Sequence, residues 1–578
     1  MPSNNGKKES KVEAAKKKSK LLRGKIAETL ASEATHFEHD DTQVLKFHGV
    51  YQQDDRDVRR ERKQAGQEAD YSFMVRVALP GGLLSGDQYL SLDRIADDYA
   101  NGTLRITTRQ GIQFHGVYKK DLKSTIAGIN QRLMTTLSAC GDVERNVMAC
   151  PAPLGDAAHV LLQETAREIA VQLRPASRAY HEIWLDEEKV VSTLEKEPFY
   201  GDQYLPRKFK TGIALDSDNC IDVYSYDCGL VAVLKDGRIQ GYQVLIGGGM
   251  GMSHGKADTF ARLAEPMGYI GPEHAVETVR TVAAVFRDHG NRADRKHARL
   301  KYLLEEWGID RFREEFRQRV DFELAPPVSL PTPEFHDHLG RNEQGDGKWF
   351  YGIFVENGRI ADRDGCRLKS ALRSIIETHR PGVRLTSSQN LLLTDLDESA
   401  LVEIEKGLTD HGVAFVGELS AARRYSMACP ALPTCGLAIT ESERVMPSVV
   451  DRIEAELERL GLSDVPLTLR MTGCPNGCAR PYTADIAFVG RKPGEQYNVY
   501  VGGGLAGDRV ADLLAEDVPV DELVAAIRPL LERWAGQRRD GEGLSDFYQR
   551  LFPRELPRMK ITGAEEPTQG RISLEVLR

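Results

Sequence analysis

The residues with the most evident chemistry are four cysteines in two pairs, Cys429-Pro-Ala-Leu-Pro-Thr-Cys435 and Cys474-Pro-Asn-Gly-Cys478. Five residues lie inside the first pair, 38 between the pairs and three inside the second. Four thiolates are the ligand set of a 4Fe-4S cluster. Structural zinc is the alternative that the residues leave open, although it usually takes two to four residues inside each pair. The glycines and prolines around the cysteines let the backbone turn tightly about an inorganic core. Cations form a second candidate set. Arg105 and Arg109, four apart in a strand-like run, are expected on one face of it. Lys208 and Lys210 flank Phe209 and in a strand would point to one side together.

The elements that must position these groups occur twice. Met148-Ala-Cys150-Pro-Ala returns as Met427-Ala-Cys429-Pro-Ala at an offset of 279, and Arg105-Ile-Thr107 returns as Arg384-Leu-Thr386 at the same offset. Tyr242-Gln-Val-Leu-Ile-Gly-Gly-Gly249 matches Tyr497-Asn-Val-Tyr-Val-Gly-Gly-Gly504 at 255. Two separated segments sharing one offset mark an internal duplication. The copies differ in chemistry, because Asp156 stands where Cys435 stands in the second copy, so Cys150 lacks a partner six residues on. Within each copy a β-branched run such as Ser72–Leu79 precedes helical spacing at Leu90, Leu92, Ile95, Ala96 and Tyr99, followed by a strand-like run from Thr103 to Val117. That order predicts an α+β layer. Helices are expected at 157–172 and 274–287, strands at 210–216, 221–224, 229–234 and 242–246, and a proline-rich linker between halves at 325–347.

The bulk numbers set bounds. A chain of 578 residues exceeds one core, and 41% hydrophobic with 28% charged residues is the composition of a soluble globular protein. No run reaches 18 apolar residues and the start lacks a signal-peptide core, so neither a membrane span nor export is expected. Nine cysteines and iron-directed thiolates point to a reducing cytoplasm. The net charge of −9 combines a basic start, with nine Lys or Arg and two Glu in residues 1–25, with an acidic body that argues against nucleic acid as partner. Residues 1–26 are read as a solvated, disordered basic tail.

Together the duplicated stretches and both cysteine pairs resemble the siroheme-dependent nitrite and sulfite reductases, above all the hemoproteins of assimilatory sulfite reduction. The resemblance rests on Tyr51-Gln-Gln-Asp-Asp-Arg-Asp57, Leu79-Pro-Gly-Gly82, Arg145-Asn-Val, Tyr204-Leu-Pro-Arg-Lys-Phe-Lys210, Gly290-Asn-Arg-Ala-Asp-Arg-Lys296 and the cysteines, and runs from about residue 45 to about 550. It implies a pseudo-twofold α+β protein with two ferredoxin-like lobes (27–146 and 336–420) and two larger cofactor-binding α/β lobes (147–335 and 421–578). It implies a siroheme bridged to a 4Fe-4S cluster through an axial Cys478, with Cys429, Cys435 and Cys474 completing the cluster. It implies an anion-binding quartet of Arg76, Arg145, Lys208 and Lys210 for sulfite. The ring carboxylates would call on Arg105, Arg109, Arg292, Lys296 and Arg299, with Thr107, Gln113, His115 and Asn476 as hydrogen-bond candidates. Crowded cations depress lysine pKa values, which would let the lysines donate protons near neutral pH.

The implied reaction is six-electron reduction of sulfite to sulfide in sulfate assimilation and cysteine biosynthesis. The glycine runs 247–249 and 502–504 lack the spacing of a dinucleotide site, so electrons must come from outside. The resemblance implies an NADPH-dependent FAD/FMN flavoprotein subunit in preference to ferredoxin. Alternatives are a siroheme nitrite reductase, a non-catalytic iron-sulfur carrier and a zinc-stapled scaffold. Lys208-Phe-Lys210 favours sulfite, since nitrite-type members tend to carry asparagine at the second lysine. Cys140, five residues before Arg145, is read as a buried thiol, with a thioether to Tyr51 as the other possibility. Cys220, Cys228 and Cys366 are read as core thiols.

Overall fold

The structure is a computed structural model that describes residues 8–177, 197–553 and 560–562. Two antiparallel five-stranded sheets form the ferredoxin-like part. The first runs Val50–Asp54, Tyr71–Val77, Ile112–Val117, Leu104–Ile106, and then Arg359–Ile360 from the second half. The second runs Gly340–Glu343, Trp349–Ile353, Leu391–Leu396, Gly382–Leu385, and then Leu83–Ser85 from the first half. Each lobe therefore lends the other an edge strand, and divisions drawn along the chain interleave in space. The exchange depends on two turns with no room for a side chain. Gly82 (φ 78°) would drive a Cβ into the Leu385 carbonyl, and Gly358 (φ 74°) would drive one into the Ile106 carbonyl. Helix Gly86–Tyr99 covers the first sheet; a Ser85/Gln88 capping box starts it, and it buries Tyr89, Leu90, Leu92, Ile95 and Ala96.

The two larger lobes share one topology. Met148–Ala149, Thr211–Leu215, Cys228–Lys235, Arg238–Ile246 and Glu265–Ile270 are matched by Ser426–Ala428, Leu469–Thr472, Ile486–Lys492, Gln496–Val501 and Asp512–Pro519. In each sheet the first two pairings are parallel and the last two antiparallel. The register repeats as well: Met148 faces Gly212 as Met427 faces Arg470, and Thr211 faces Cys228 as Leu469 faces Ile486. One apolar core runs through the first three lobes, while the last lobe has its own, built around Trp534 and helix Met446–Arg459. No helix among the described residues is long and apolar enough to cross a membrane.

Four local expectations change. Of the basic tail, residues 1–7 lie outside the described residues, but Lys11–Lys18 is a helix seated on the body. Lys16 is 2% exposed; its ammonium donates to Leu205 O at 2.8 Å and lies 3.4 Å from Asp142, while Glu13 pairs with Arg292 at 2.7 Å. Specific partners hold a segment that charge alone would leave in water. The expected strand at 221–224 is instead a 3-10 turn at Val223–Ser225, because Asp222 takes a left-handed backbone (φ 57°). The run from Thr103 to Val117 breaks at 107–111, where the Thr107 hydroxyl accepts from the Arg109 and Gly111 amides. Arg105 thus sits in a strand and Arg109 in the turn after it, so the one-face argument for that pair does not apply. The linker ends at Leu339, with Gly340–Glu343 already a strand.

Candidate functional site

The second parallel strand of the last lobe, Leu469–Thr472, leads directly into the Cys474–Cys478 loop, and Ser426–Ala428 beside it delivers Cys429. Gly473 N donates to Cys429 Sγ at 3.4 Å, and Asn476 Nδ2 donates to Cys474 Sγ at 3.4 Å. Burial, followed by the nearby Cys478 and Cys474 thiols, pushes the Cys429 thiol up; burial and Cys478 push Cys474 up to about 12. Thiols crowded together in this way gain by sharing a cationic core. Cys429 and Cys474 are buried and Cys435 half-buried, whereas Cys478 is exposed. The first half reaches over this loop. Arg56 donates to Cys435 O (3.0 Å) and Ala438 O (2.6 Å), and Thr108 Oγ1 donates to Cys478 O at 2.9 Å.

A group of cations adjoins the cysteine loop through Lys208, which lies within electrostatic reach of Cys478. A parallel bridge sets Glu144 opposite Phe209, with the Arg145 amide donating to Phe209 O at 2.9 Å. Phe209 is fully buried and Lys208 and Lys210 half-buried, so the alternation expected of a strand holds. Arg76 and Arg145 both reach Ala139 O at 3.5 Å, and both lie by the Tyr51 phenol and Cys140. Arg76 Nη1 donates to Cys140 Sγ at 2.9 Å, and the Gln113 amide oxygen accepts from Arg76 Nε (3.1 Å) and Nη2 (2.5 Å). Lys210 and Arg109 share the Tyr226 ring, at 6.0 and 4.8 Å from its centre. Burial first, then Arg299, Arg207 and Arg145, lower the Lys208 pKa from 10.5 to about 7; burial and Lys208 take Lys210 down as well. Among the described residues neither lysine has a hydrogen bond or ion pair from its ammonium.

The other sequence candidates divide into free and engaged groups. Arg109 spends one nitrogen on Asn146 O (2.5 Å) and Thr211 O (3.0 Å), while its Nε and Nη1 are buried without partners. Both ring nitrogens of His115 and the Thr472 hydroxyl are also buried and unpartnered. Burial, with Arg359 and Arg105 nearby, holds His115 well below its ordinary pKa and therefore neutral. Arg105 is committed to Glu443 (2.8 Å) and Ala428 O (2.8 Å), and Arg299 makes a bidentate pair with Asp227 (2.9 and 2.7 Å). Arg292 binds Glu13 and the Tyr204 and Arg287 carbonyls, which fastens the N-terminal helix. Lys296 is exposed, and its amide donates to Asp294. In this structure the engaged arginines order protein groups.

Composition did not reveal several residues that shape the site. The glycine run after Arg238–Ile246 lies against the cysteine loop: Met252 N donates to Pro475 O at 2.9 Å, and a Cβ on Gly477 (φ 63°) would sit 3.0 Å from Met250 O. Buried Lys301 holds that run through Gly249 O (3.0 Å) and Gly251 O (2.8 Å). Asp222 of the first half pairs with Arg470 (2.8 Å) and Arg480 of the second.

A family model described as "Nitrite and sulphite reductase 4Fe-4S domain" matches residues 164–324 and 420–551, and a "Nitrite/Sulfite reductase ferredoxin-like half domain" matches 65–132 and 342–411. The chain belongs to the nitrite and sulphite reductase family. Within this family it is 46% identical over 542 residues (93% of this chain, 95% of the relative) to the "Sulfite reductase [NADPH] hemoprotein beta-component" of Staphylococcus saprophyticus. It is 45% identical over 562 residues (94% and 89%) to "Sulfite reductase [ferredoxin]" of Synechococcus elongatus. The solved structure of Mycobacterium tuberculosis NirA matches with a TM-score of 0.76 at 26% identity, covering 94% of this chain and 97% of that one. The family's duplicated 4Fe-4S and ferredoxin-like parts coincide with the paired sheets described above.

Proposed function

We propose that this chain reduces sulfite to sulfide with six electrons at a siroheme coupled to a 4Fe-4S cluster, as the hemoprotein partner of an NADPH-dependent flavoprotein in the cytoplasm. The observation that carries the reading is the grouping of Arg76 and Arg145 at Tyr51 with Lys208 and Lys210, of which Lys208 is within electrostatic reach of Cys478. An iron-sulfur carrier or a zinc scaffold has no use for four cations there. The residues fit the prosthetic groups. Cys429, Cys435, Cys474 and Cys478 would hold the cluster, with Cys478, the exposed one, as the bridge. The unpartnered nitrogens of Arg109, the neutral His115 ring and the Thr472 hydroxyl are donors suited to ring carboxylates. When bound, siroheme and cluster together supply low-potential electrons to the anion.

The chain's own residues do the rest. Arg76 and Arg145 present planar, permanently charged donors that orient an oxyanion. Lys208, with a pKa near 7, can give up its proton at working pH, and Lys210 takes its place in the same anion cradle. Asn476 donates to Cys474 Sγ, a contact that would tune the potential of a cluster held there. The reading is tested by kcat/KM for sulfite and for nitrite on one preparation with an artificial low-potential donor. A preference for sulfite that Lys210→Asn diminishes is expected; a wild-type preference for nitrite would overturn the substrate assignment.

A further inference from the structure

A second group of metal-binding side chains lies apart from the cluster cysteines. Cys150, Asp218, Cys220 and His338 place one ligand atom each within 4.8 Å of all the others. Cys150 Sγ is 3.7 Å from Asp218 Oδ2 and 3.8 Å from His338 Nε2, and those two are 3.4 Å apart. A tetrahedron with bonds of about 2.3 Å to sulfur and about 2.0–2.1 Å to nitrogen and oxygen requires edges of roughly 3.6, 3.6 and 3.4 Å. These three edges match this to within about 0.2 Å. Cys150, Asp218 and Cys220 are buried, and the His338 side chain is 11% exposed. We propose that Cys150, Asp218, Cys220 and His338 form a structural zinc site distinct from the iron-sulfur centre.

The ligand backbones are held in place by their surroundings. Gln163 donates to Cys150 O (2.6 Å), Ser387 to Cys220 O, and the His336 amide to the second oxygen of Asp218 (3.2 Å). Such outer contacts are what a metal site needs to orient its ligands. Four protein ligands leave no open position, so the site is structural and not catalytic. Two thiolates, one carboxylate and a neutral imidazole around Zn²⁺ give a net charge of −1. Zinc also has mechanical sense at this point. His338 lies on the linker that enters the second ferredoxin-like lobe, and Asp218 bridges to Glu334 of the same linker. The metal would pin that linker to the first cofactor-binding lobe.

The duplication explains how such a site could arise. With Gly212 answering to Arg470 and Cys228 to Ile486, the offset across this segment is 258. Asp222 and Arg480, both left-handed and both opening a 3-10 turn, keep the same offset. On that register Cys220 occupies the position of Cys478, as Cys150 occupies that of Cys429. The first half thus retains two of the four cluster positions and completes them with a carboxylate and an imidazole, a set that suits zinc.

The test uses holoenzyme purified without chelators or metal-affinity resin, with zinc and iron counted by mass spectrometry. About one zinc per chain is expected in the wild type, and it should be lost in Cys220→Ser and in His338→Ala while iron and siroheme absorbance are retained. X-ray absorption at the zinc edge should show two sulfur neighbours at about 2.3 Å and two lighter ones at about 2.0–2.1 Å. Should the variants misfold, wild-type holoenzyme stripped by a chelator and titrated with zinc sulfate should take up one equivalent and melt higher. A wild-type enzyme that neither carries zinc nor takes it up, or zinc that persists in Cys220→Ser, overturns the proposal. These readouts are of metal, so sulfite reduction stands or falls separately.

Discussion

Glu443 is the most exacting place to test the electrostatics of this fold. It lies beneath the cluster cysteines, its amide donating to Cys429 O at 3.1 Å. Its carboxylate is shared by Arg105 of the first half (2.8 Å) and Arg359 of the second (2.7 and 3.0 Å). Each pair contributes about 4 kcal/mol at an effective dielectric near 20, so about 8 kcal/mol attracts, offset by several kcal/mol for taking the ions out of water. Glu443→Gln removes the charge and leaves two buried guanidinium groups facing each other, which should cost about 3–5 kcal/mol. The amide can still accept one hydrogen bond, so the lower end applies to Gln and the upper end to Ala. Burial alone would raise the Glu443 pKa, but Arg105 and Arg359 bring it from 4.5 to about 2. Its folded value lies below its unfolded one, so its contribution is complete above about pH 4.5 and disappears as pH falls toward 2. The assay is guanidinium unfolding of the holoenzyme near neutral pH, with Arg105→Gln and the double variant closing a cycle. The double variant should lose at least about 1 kcal/mol less than the sum of the singles. A Glu443→Gln variant within about 0.5 kcal/mol of wild type, or a cycle that sums additively, would refute the reasoning.

Lys208 is lowered to about 7 by burial and neighbouring arginines, so its proton is lost as pH rises through that value. With nitrite, which stays anionic across the range, kcat/KM should fall as pH rises through neutrality. Lys208→Arg should flatten that profile, and a flat wild-type profile would remove Lys208 from the proton path. Cys478→Ser should uncouple the two centres magnetically and abolish sulfite reduction; reduction at the wild-type rate would show that Cys478 is not the bridge. Cys140 lies beside Tyr51 and accepts a hydrogen bond from Arg76. Intact mass is expected to match the uncrosslinked chain, and a value low by the two hydrogens lost on forming an S–C bond would reveal a thioether.

The sequence by itself was enough for the duplication, the two cysteine pairs and most of the regular elements. Those features are local: a repeat needs only an offset, a cluster motif only its spacing, and a strand or helix only its period. The fates of particular charges were not local. Arg105 and Arg109 look alike along the chain, yet one is neutralised by a carboxylate 338 residues away and the other keeps two unpartnered nitrogens. The basic start read as solvated because nothing in its composition shows that Asp142 and the Leu205 carbonyl are within reach of Lys16. Cys220 read as a core thiol because Cys150 and His338, which meet it and its near neighbour Asp218, come from distant segments. Which cations are free, which are paired and which thiols meet is set by long-range packing. Whether a buried charge gains a partner depends on what the fold brings beside it, so only the tertiary structure decided these questions.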